Sequence, residues 1–443
     1  MKNLFTSAAA LLLGDPPEAS VIRDVHSLLT ELDYFGPAGA GAVDHETRHR
    51  ARLLQAAAQL TRIFELAAPE APGLVAFGAE IDPATADALH RGSPPVGVSG
   101  IGLSMQEAFQ GCVGEAVEYL SQLQRADDAL IAADGMEPSA ALDRATRELV
   151  TALMPPPRAG SAWHRATRLS DQSEVLLPAD LCLRRPQALQ EFAPPFPLST
   201  GSAAGTSWEG AALHGLLELI ERDAASLWWR GGRRGRAVPP DVETSAQALL
   251  QSLRAGIPAP RRSWLLDITA DIGVPAVTAL SCRPDGRGFA FGLAARRTLQ
   301  AATRSAVLEM CQMELAHAVV EAKRRERGDA ALNARDRAHL LRATAIDAFS
   351  CILLHPVSGS AEHIRLDDPD PKAALSLIVR RLAGLGIETY GLDLTRASLA
   401  VPVARIIAPG LQAEPSGIVT SRLSATIAQT GGGETMARGI PLI

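Results

Sequence analysis

Lysine is almost absent from this chain, whose 443 residues contain only Lys2, Lys323 and Lys372. None of the three follows a glycine-rich loop, and this excludes a P-loop, in which a lysine must reach the nucleotide phosphates. The glycine-rich stretches GVSGIG and GPAGAG lack the full G-x-G-x-x-G spacing between a strand and a helix, so a Rossmann site has weak support. Any nucleotide site in this chain must therefore be built differently.

Cysteine pairs and excess positive charge are also missing. The five cysteines form no C-x-x-C motif, and their odd number indicates reduced thiols rather than a disulfide framework or a structural zinc site. The formal net charge of -6 offers no general cationic surface for phosphate backbones. We therefore expect no nucleic-acid partner.

Long apolar runs are absent as well. No run approaches the ~20 residues that cross a bilayer, so we expect a soluble protein without a membrane partner. The first residues, MKNLFTSAAALLLG, resemble a short signal peptide but have no clear A-x-A cleavage site. This favours a cytoplasmic location.

The residues that are present predict a large mixed α and β protein. Hydrophobic residues make up 47% of the chain, enough for an extensive core. Apolar residues recur at helical spacing in residues 1–90, and Pro94 and Pro95 mark a boundary. We predict a helical N-terminal region over 1–90 and one larger domain over 91–443, in which stretches such as SWLLDITADIGVPAVTALSC have the lengths of strands.

One pattern occurs twice. GLSMQEAFQGCVGEAVEYL begins at Gly102 and GTSWEGAALHGLLELIERD begins at Gly205, and the two align without a gap. The aligned pairs are Gly102 with Gly205, Ser104 with Ser207, Ala108 with Ala211, Glu115 with Glu218, and Glu118 with Glu221. Each copy predicts a loop followed by a helix, with a hydroxyl suited to cap the helix start; Ser104 to Glu107 and Thr206 to Glu209 also fit capping boxes.

The two E-x-x-E pairs predict a shared cation site. Residues three apart share a helix face, so each helix presents two carboxylates in one direction. The flanking residues are apolar, and buried unpaired carboxylates are costly unless a cation compensates them. Oxygen ligands of this kind suit Mg²⁺ bound together with substrate phosphates. The alternative is that each glutamate pairs with a nearby arginine or lies at an exposed edge.

The segment STGSAAGTSWEGAALHGLLELIERDA, at 199–224, resembles the signature of the YcaO family, because it joins a small-residue loop to E-x-x-E-R-D-A. The resemblance extends over GVSGIGLSMQEAFQGCVGEAVEYL, LLDITADIGVPAVTALSC, ATRSAVLEMCQMELA and DLTRASLAVPVARIIAPGL, from about Gly97 to Leu411. It implies an α+β fold, with mixed sheets and packed helices enclosing a carboxylate-rich cleft for ATP and Mg²⁺.

The resemblance also implies the site residues. Glu115, Glu118, Glu218 and Glu221 match the metal-binding carboxylates, and Arg222 matches a phosphate-binding arginine. Further ATP-site positions fall on Thr206, Glu309 and Arg304. The chain departs from the family pattern at three places. Many members have asparagine at the position of Thr206, a lysine is replaced around Gly100-Ile101-Gly102, and Ser305 takes the place of an arginine, with Arg304 one residue earlier.

The implied activity is ATP-dependent phosphorylation of a peptide backbone amide oxygen during maturation of a ribosomally made precursor peptide. Attack by a neighbouring Cys, Ser or Thr then gives an azoline, as in bacteriocin maturation, whereas a sulfur donor gives a thioamide; we expect the azoline ahead of the thioamide. The tail GGGETMARGIPLI has one proline near its end, where many azoline-forming members have a proline-alternating tail.

Partners follow from the same resemblance. We expect a precursor peptide, a ThiF-like or TfuA-like partner protein and a homodimer. Two alternatives stay open, both sharing the fold: a non-catalytic scaffold subunit, and an accessory factor that acts on a ribosomal protein.

Overall fold

The computed structural model describes residues 2–35, 44–133, 142–154, 161–257 and 261–443. The predicted turn GPAGAGAV, at 36–43, lies outside these residues. Among the described residues, none of the helices combines the length and apolar character needed to cross a bilayer. All five cysteines are buried and unpaired.

The helices of the described residues are Lys2–Leu12 (α1), Ile22–Glu31 (α2), His45–Ala57 (α3), Met105–Gln122 (α4), Arg144–Leu153 (α5), Ala179–Cys182 (α6), Trp208–Trp229 (α7), Pro240–Leu253 (α8), Leu299–Arg327 (α9), Ala334–Ala345 (α10), Pro371–Gly384 (α11) and Ser421–Thr430 (α12). The strands are Arg62–Leu66 (β1), Val75–Ile81 (β2), Val96–Gly102 (β3), Ile131–Ala133 (β4), Ser161–Arg168 (β5), Glu174–Pro178 (β6), Ser202–Ala204 (β7), Arg262–Asp267 (β8), Ala276–Cys282 (β9), Ala290–Ala295 (β10), Tyr390–Asp393 (β11) and Val403–Ile407 (β12). The mixed α+β class predicted from the sequence is confirmed.

The strands form three sheets within the described ranges. One has the order β1-β2-β3, a second has the order β10-β9-β8, and the third has the order β4-β5-β11-β12-β7 with β6 paired to β5. The paired strands within each sheet are antiparallel. The strands predicted in SWLLDITADIGVPAVTALSC are present as β8 and β9.

The N-terminal region is helical only in its first part. Helices α1, α2 and α3 form as expected, and Phe5, Val25 and Leu54 anchor them in one core. The helical pattern read through AQLTRIFELA is wrong, since β1 begins at Arg62 and pairs with β2. β2 in turn pairs with β3, so this sheet continues across residue 90. The division of the chain at that point stays a prediction.

Each sheet carries one long helix that begins with a hydroxyl cap. Ser104, Ser207 and Thr298 precede α4, α7 and α9, and each side chain accepts an amide hydrogen bond from the residue three positions later. The cap of α7 is thus Ser207, aligned with Ser104, and the capping box expected at Thr206 does not form. α4 packs on β3, α7 on β7 and β12, and α9 on β10.

Two strand glycines let the helices approach closely. A Cβ at Gly100 would lie 2.1 Å from the amide nitrogen of Cys112 in α4, and a Cβ at Gly292 would lie 2.1 Å from the carbonyl oxygen of Ala306 in α9. No side chain fits at either position, so backbone packs directly against backbone. The close contact fixes the distance and rotation of each helix relative to its strand.

The three strand-and-helix units close into a ring. α4 also contacts β7 of the second unit, α7 contacts β10 of the third, and α9 contacts β3 of the first. Each helix therefore packs on its own strand and on the strand of the next unit. The predicted carboxylates lie on these three helices.

Candidate functional site

The three helices of the ring carry polar side chains at two equivalent positions. The first position is 11 residues after each N-cap (104 to 115, 207 to 218, 298 to 309) and holds Glu115, Glu218 and Glu309. The second is 14 residues after each N-cap (104 to 118, 207 to 221, 298 to 312) and holds Glu118, Glu221 and Gln312. The pattern seen twice in the sequence therefore occurs three times in the structure.

The glutamates at the first position accept hydrogen bonds from backbone amides of their own unit. Glu115 Oε2 accepts the amide of Ser99 at 2.9 Å. Glu218 Oε2 accepts the amide of Gly201 at 3.0 Å, and Glu309 Oε2 accepts the amide of Leu293 at 3.1 Å. These amides belong to the strand, or to the residue preceding it, that the helix covers. One oxygen of each carboxylate is thus held in place by the backbone.

The side chains at the second position form hydrogen bonds with the next unit around the ring. Glu118 Oε1 accepts the amide of Ala204 at 2.8 Å, and Glu221 Oε2 accepts the amide of Ala295 at 3.1 Å. In the third helix, Gln312 Nε2 donates to Ser99 Oγ at 3.0 Å and so closes the ring.

The carboxylates lie close enough to oppose each other's ionisation. Loss of surrounding water raises the pKa of Glu118 to about 8, and the charges of Glu218 and Glu115 add to this rise. The pKa of Glu221 is also raised to about 8, mainly by burial and further by Glu309 and Glu218, although Arg222 opposes the shift. Partial loss of water around the carboxylates, caused by the surrounding protein atoms, likewise raises the pKa values of Glu115 and Glu309. The cluster therefore holds protons unless a cation replaces them.

Two arginines compensate part of this charge. Arg222 contacts Glu221 at 3.3 Å and Glu218 at 3.5 Å, and Arg296 lies 3.9 Å from Glu221. Arg222 is half-buried, and although loss of water opposes its charge, the surrounding carboxylates raise its pKa above the ordinary value. A third arginine, Arg335, acts on Glu115 and opposes the rise in its pKa. These three arginines oppose five carboxylates, so negative charge remains in excess when all five are ionised.

The site is open to solvent on one side. Glu115 is exposed, Glu118, Glu218 and Glu309 are half-buried, and the side chain of Glu221 is only 7% exposed. His214, one turn before Glu218 on α7, is also exposed. The protein thus surrounds the carboxylates without covering them, as expected for the wall of a ligand cleft.

The donor set fits Mg²⁺ that is shared with a ligand. Among the described residues, no three His, Cys, Asp or Glu side chains converge into a preformed metal cage. Mg²⁺ rarely uses such cages and commonly takes one or two carboxylates together with waters and substrate phosphates. Carboxylates that are pre-oriented by backbone amides and short of positive charge meet this requirement.

Thr206 and Arg304 lie outside the ring of hydrogen bonds. Thr206 is exposed in the loop before the N-cap of α7. Arg304 forms a two-pronged ion pair with Glu107, with both contacts at 2.7 Å, which ties the first turns of α9 and α4 together. Its guanidinium is thus engaged away from the carboxylates of the ring, and the role of both residues in binding ATP stays a prediction.

Sequence reasoning missed three residues of the site. Gln312 and Ser99 close the ring, and Arg296 faces Glu221. The signal for Gln312 was its place three residues after Glu309, which repeats the spacing of the two E-x-x-E pairs.

Asp223, which follows Arg222 on α7, has a structural role that the sequence did not indicate. Its carboxylate accepts the amide of Gln412 at 2.8 Å and pairs with Arg422 at 2.9 Å. It therefore anchors the C-terminal segment on α7.

Three helix-on-sheet units around a carboxylate cleft place this protein in the class of α+β proteins whose donor set suits Mg²⁺ shared with a ligand. Residues 99–412 match the family described as "YcaO cyclodehydratase, ATP- and Mg²⁺-binding". The chain belongs to the YcaO family, and its cofactors are ATP and Mg²⁺.

The chain is also similar to individual proteins and solved structures. An uncharacterized protein of Methanothermobacter thermautotrophicus is 27% identical over 374 residues, which is 80% of this chain and 90% of that protein. A heterocyclase solved in complex with substrate and cofactor has a TM-score of 0.66 at 22% identity; the match covers 93% of this chain, which spans only 58% of the heterocyclase. YcaO from Methanopyrus kandleri, bound with AMPPCP and Mg²⁺, has a TM-score of 0.53 at 20% identity, covering 82% of this chain and 89% of that one.

Proposed function

We propose that this chain uses ATP to phosphorylate the oxygen of a backbone amide in a ribosomally synthesised precursor peptide. The ring of carboxylates on α4, α7 and α9 carries this proposal, because it joins three separate units around one open cleft. An amide oxygen is a poor leaving group, and its phosphorylation converts it into phosphate, which leaves readily. Membership of a cyclodehydratase family supports the same reaction.

The carboxylates divide the work of holding the cofactor. Glu115, Glu118, Glu218 and Glu221 hold Mg²⁺ together with the ATP phosphates, and Glu309 adds a fifth carboxylate from the third helix. When bound, Mg-ATP supplies the phosphoryl group, and the metal neutralises charge on it. The backbone amides of Ser99, Gly201, Leu293, Ala204 and Ala295 each hold one carboxylate oxygen. The second oxygens of Glu218 and Glu221 face Arg222.

Arg222 is the phosphate-binding group of this proposal. It lies between Glu218 and Glu221, which fix its direction, and its charge is retained at all relevant pH values because its pKa is raised. A pre-oriented guanidinium stabilises charge on a transferring phosphoryl group without reorganising during the reaction. Thr206, in the loop before α7, and Arg304, near the start of α9, contribute to ATP binding as secondary contacts.

The product is an azoline ahead of a thioamide. The azoline requires only a Cys, Ser or Thr in the peptide, whereas the thioamide needs a sulfur donor as well. The heterocyclase with the related fold supports this order. A ThiF-like or TfuA-like protein presents the peptide or delivers sulfur, and the chain acts as a homodimer in the cytoplasm.

Oxygen tracing tests the proposal directly. The substrate is a precursor peptide encoded beside this chain's gene and synthesised with ¹⁸O in the amide preceding a Cys, Ser or Thr. We expect ADP to form only with peptide present, and the label to appear in the released phosphate. A product lighter by one water identifies the azoline, and replacement of one oxygen by sulfur identifies the thioamide. Peptide modification without ¹⁸O in phosphate would refute phosphorylation of the amide.

The non-catalytic alternative is tested by the same assay. The departures at Thr206 and Ser305 motivate that alternative, but all five carboxylates of the ring are retained, which argues for turnover. An absence of ADP in the presence of both the peptide and the partner protein would favour the scaffold role. An accessory role in ribosomal protein modification would instead show turnover with a ribosomal protein and none with the peptide.

A further inference from the structure

An open cavity of about 600 Å³ lies at the C-terminal end of α4. Tyr119 and Leu123 of this helix end line it. Tyr119 directly follows Glu118 and lies one turn of helix after Glu115, on the same face. The cavity therefore begins close to the carboxylate ring, and its volume falls in the range of pockets that hold a ligand.

Prolines and two aromatic rings give the wall of this cavity its apolar character. The aromatic residues are Tyr119 and Phe196, and the prolines are Pro94, Pro186, Pro194, Pro195, Pro197 and Pro415. Because the proline ring fixes the backbone angle φ, such a wall is largely formed before a ligand binds. Among the described residues, no aspartate or glutamate lines the cavity.

Arg184 is held in a fixed direction in this wall. Its backbone amide donates to the carbonyl of Gln122 at 2.7 Å, and its carbonyl accepts the amide of Gln124 at 3.0 Å. Its Nε donates to Gln122 Oε1 at 2.8 Å. The central carbon of the guanidinium lies 5.0 Å from the centre of the Tyr119 ring. A guanidinium that is stacked on a ring and held through Nε is oriented before any ligand arrives.

Both Nη groups of Arg184 are free to bind a ligand. Neither has a hydrogen-bond partner in the part of the chain that the structure describes, and neither is among the buried polar groups that lack one, so both reach solvent. Arg185 differs, because Asp180 at 3.1 Å and Glu191 at 3.6 Å compensate its charge. Arg184 thus presents an uncompensated fork of donors, which matches the two oxygens of a carboxylate.

The electrostatic surroundings of Arg184 also favour an anion. Loss of water lowers the pKa of Arg184, and Tyr119 is the group that opposes this shift. No carboxylate of the described residues contributes to it. A partly desolvated guanidinium without a counter-charge gains from pairing with an anion.

We propose that this cavity binds an acidic segment of the precursor peptide, in which an Asp or Glu side chain accepts two hydrogen bonds from the Nη groups of Arg184. The proline and aromatic wall receives the apolar residues beside that acid, a surface that a free phosphate would not use. The inference rests on the proposed function, because the peptide extends into this cavity from the amide in the carboxylate cleft. It predicts an acidic residue within a few positions of the modified Cys, Ser or Thr.

Calorimetry on the full chain without nucleotide tests the proposal with two blocked peptides. Acetyl-Phe-Pro-Glu-Pro-Ala-amide carries one carboxylate, and acetyl-Phe-Pro-Gln-Pro-Ala-amide carries none. We expect one site per chain for the Glu peptide and about ten- to a hundredfold weaker binding of the Gln peptide, the usual range for losing a charge-assisted hydrogen bond. If inorganic phosphate bound in the cavity and the chain showed no preference for the Glu peptide, the site would be one for free phosphate and the proposal would be wrong.

Two variants locate the binding. Arg184→Gln should remove the preference for the Glu peptide. Because Arg184 also holds Gln122, Gln187→Glu provides an independent test at an exposed lining residue. Its new charge should weaken binding of the Glu peptide severalfold at low ionic strength and leave the Gln peptide unaffected. Gln251→Glu, at an exposed position of α8 outside the lining, is the matched control. Unchanged binding of the Glu peptide in Arg184→Gln and Gln187→Glu would overturn the proposal.

The same measurements separate this inference from the proposed function. A chain that prefers the Glu peptide but hydrolyses no ATP with the precursor peptide would retain this site and refute the phosphorylation. A chain that hydrolyses ATP with the precursor peptide but binds the two probe peptides equally would overturn this site alone.

Discussion

The side-chain amide of Gln312 donates to the hydroxyl of Ser99 across 3.0 Å and joins the third helix of the ring to the first strand. The equivalent residues of the other helices, Glu118 and Glu221, are carboxylates that accept backbone amides. Position 312 thus makes the same kind of connection without a charge. The ring carries five carboxylates rather than six, which limits the repulsion that the fold must withstand.

Gln312→Glu should therefore destabilise the protein at high pH. The new carboxylate can still accept from Ser99, but it adds a sixth acid to a cleft that already holds excess negative charge. We expect the free energy of unfolding to fall by about 1–3 kcal/mol at pH 8 and to change little at pH 4. Denaturant unfolding at both pH values measures this. The control Gln300→Glu changes an exposed residue in the first turn of the same helix, and an equal loss in the control would show that the cleft is not responsible.

Glu118→Gln should have the opposite effect, with a defined pH dependence. The folded-state pKa of Glu118 is about 8 and its ordinary value is 4.5. Between these values the folded chain holds a proton that the unfolded chain has lost, so the wild type loses stability as the pH rises from 4.5 to about 8. Gln keeps an oxygen for the amide of Ala204 and removes the charge. The variant should match the wild type near pH 4 and exceed it above pH 8 by on the order of a few kcal/mol.

The exposed Glu243 of α8 provides the control for this measurement. Glu243→Gln should leave the difference from wild type nearly constant over the same pH range, because water already solvates its charge. If Glu118→Gln followed the control instead, the carboxylate would be solvated in the folded protein and the cleft would not raise its pKa.

Mg-ATP binding should release protons at pH 7. Glu118 and Glu221 hold protons at this pH because their pKa values are about 8, and metal binding requires the ionised carboxylates. Calorimetric enthalpies measured in one buffer of small and one of large ionisation enthalpy give the number of protons released. Glu118→Gln should release fewer than the wild type. Identical enthalpies in the two buffers for the wild type would show that these carboxylates take no part in binding.

The close contact between α9 and Gly292 of β10 gives a test of the fold. Gly292→Ala should lower the free energy of unfolding by about 1–3 kcal/mol, because the added Cβ would lie 2.1 Å from the carbonyl of Ala306 and the helix must shift. Gly384→Ala, in α11, meets no atom within 4 Å and should be neutral or stabilise by about 0.5–1 kcal/mol. Chemical denaturation of the two variants separates the specific clash from a general effect of alanine.

The sequence was sufficient to predict those site residues that lie close together on one helix. Glu115, Glu118, Glu218 and Glu221 were predictable because helical spacing places each pair on one face and the two copies align without a gap. The third copy was found only in part. Glu309 followed from family resemblance, but Gln312 breaks the acidic pattern, and GFAFGLAARRT shares few letters with the loops of the other copies.

The connections between the units could not be predicted, because they depend on tertiary packing. The contact of Glu221 with the amide of Ala295 spans 74 positions and involves a backbone group that every residue carries. The strands β1 and β2 were missed for a different reason. A short apolar segment such as RIFEL, which forms β1, fits one turn of a helix as well as a strand. Only its pairing with β2 shows that it is a strand.

The role of the carboxylate ring is tested by paired substitutions on two different helices. Glu115→Gln with Glu118→Gln changes α4, and Glu218→Gln with Glu221→Gln changes α7. Each double variant keeps the side-chain sizes and removes two charges from the proposed Mg²⁺ site. We expect Mg-ATP affinity to fall by about ten- to a hundredfold in both, and peptide-dependent ATP turnover to fall with it. Thermal stability of the α4 variant should be unchanged or higher, because repulsion is relieved. The α7 variant also loses the ionised partners of Arg222 and should be less stable than the α4 variant. Glu65→Gln with Glu243→Gln removes the same charge from exposed positions and should bind Mg-ATP as the wild type does.

Loss of binding in only one of the two double variants would show that the helices do not share a site. Unaltered Mg-ATP binding in both, measured by calorimetry, would show that the repeated carboxylates are structural, and the proposed nucleotide site would be wrong.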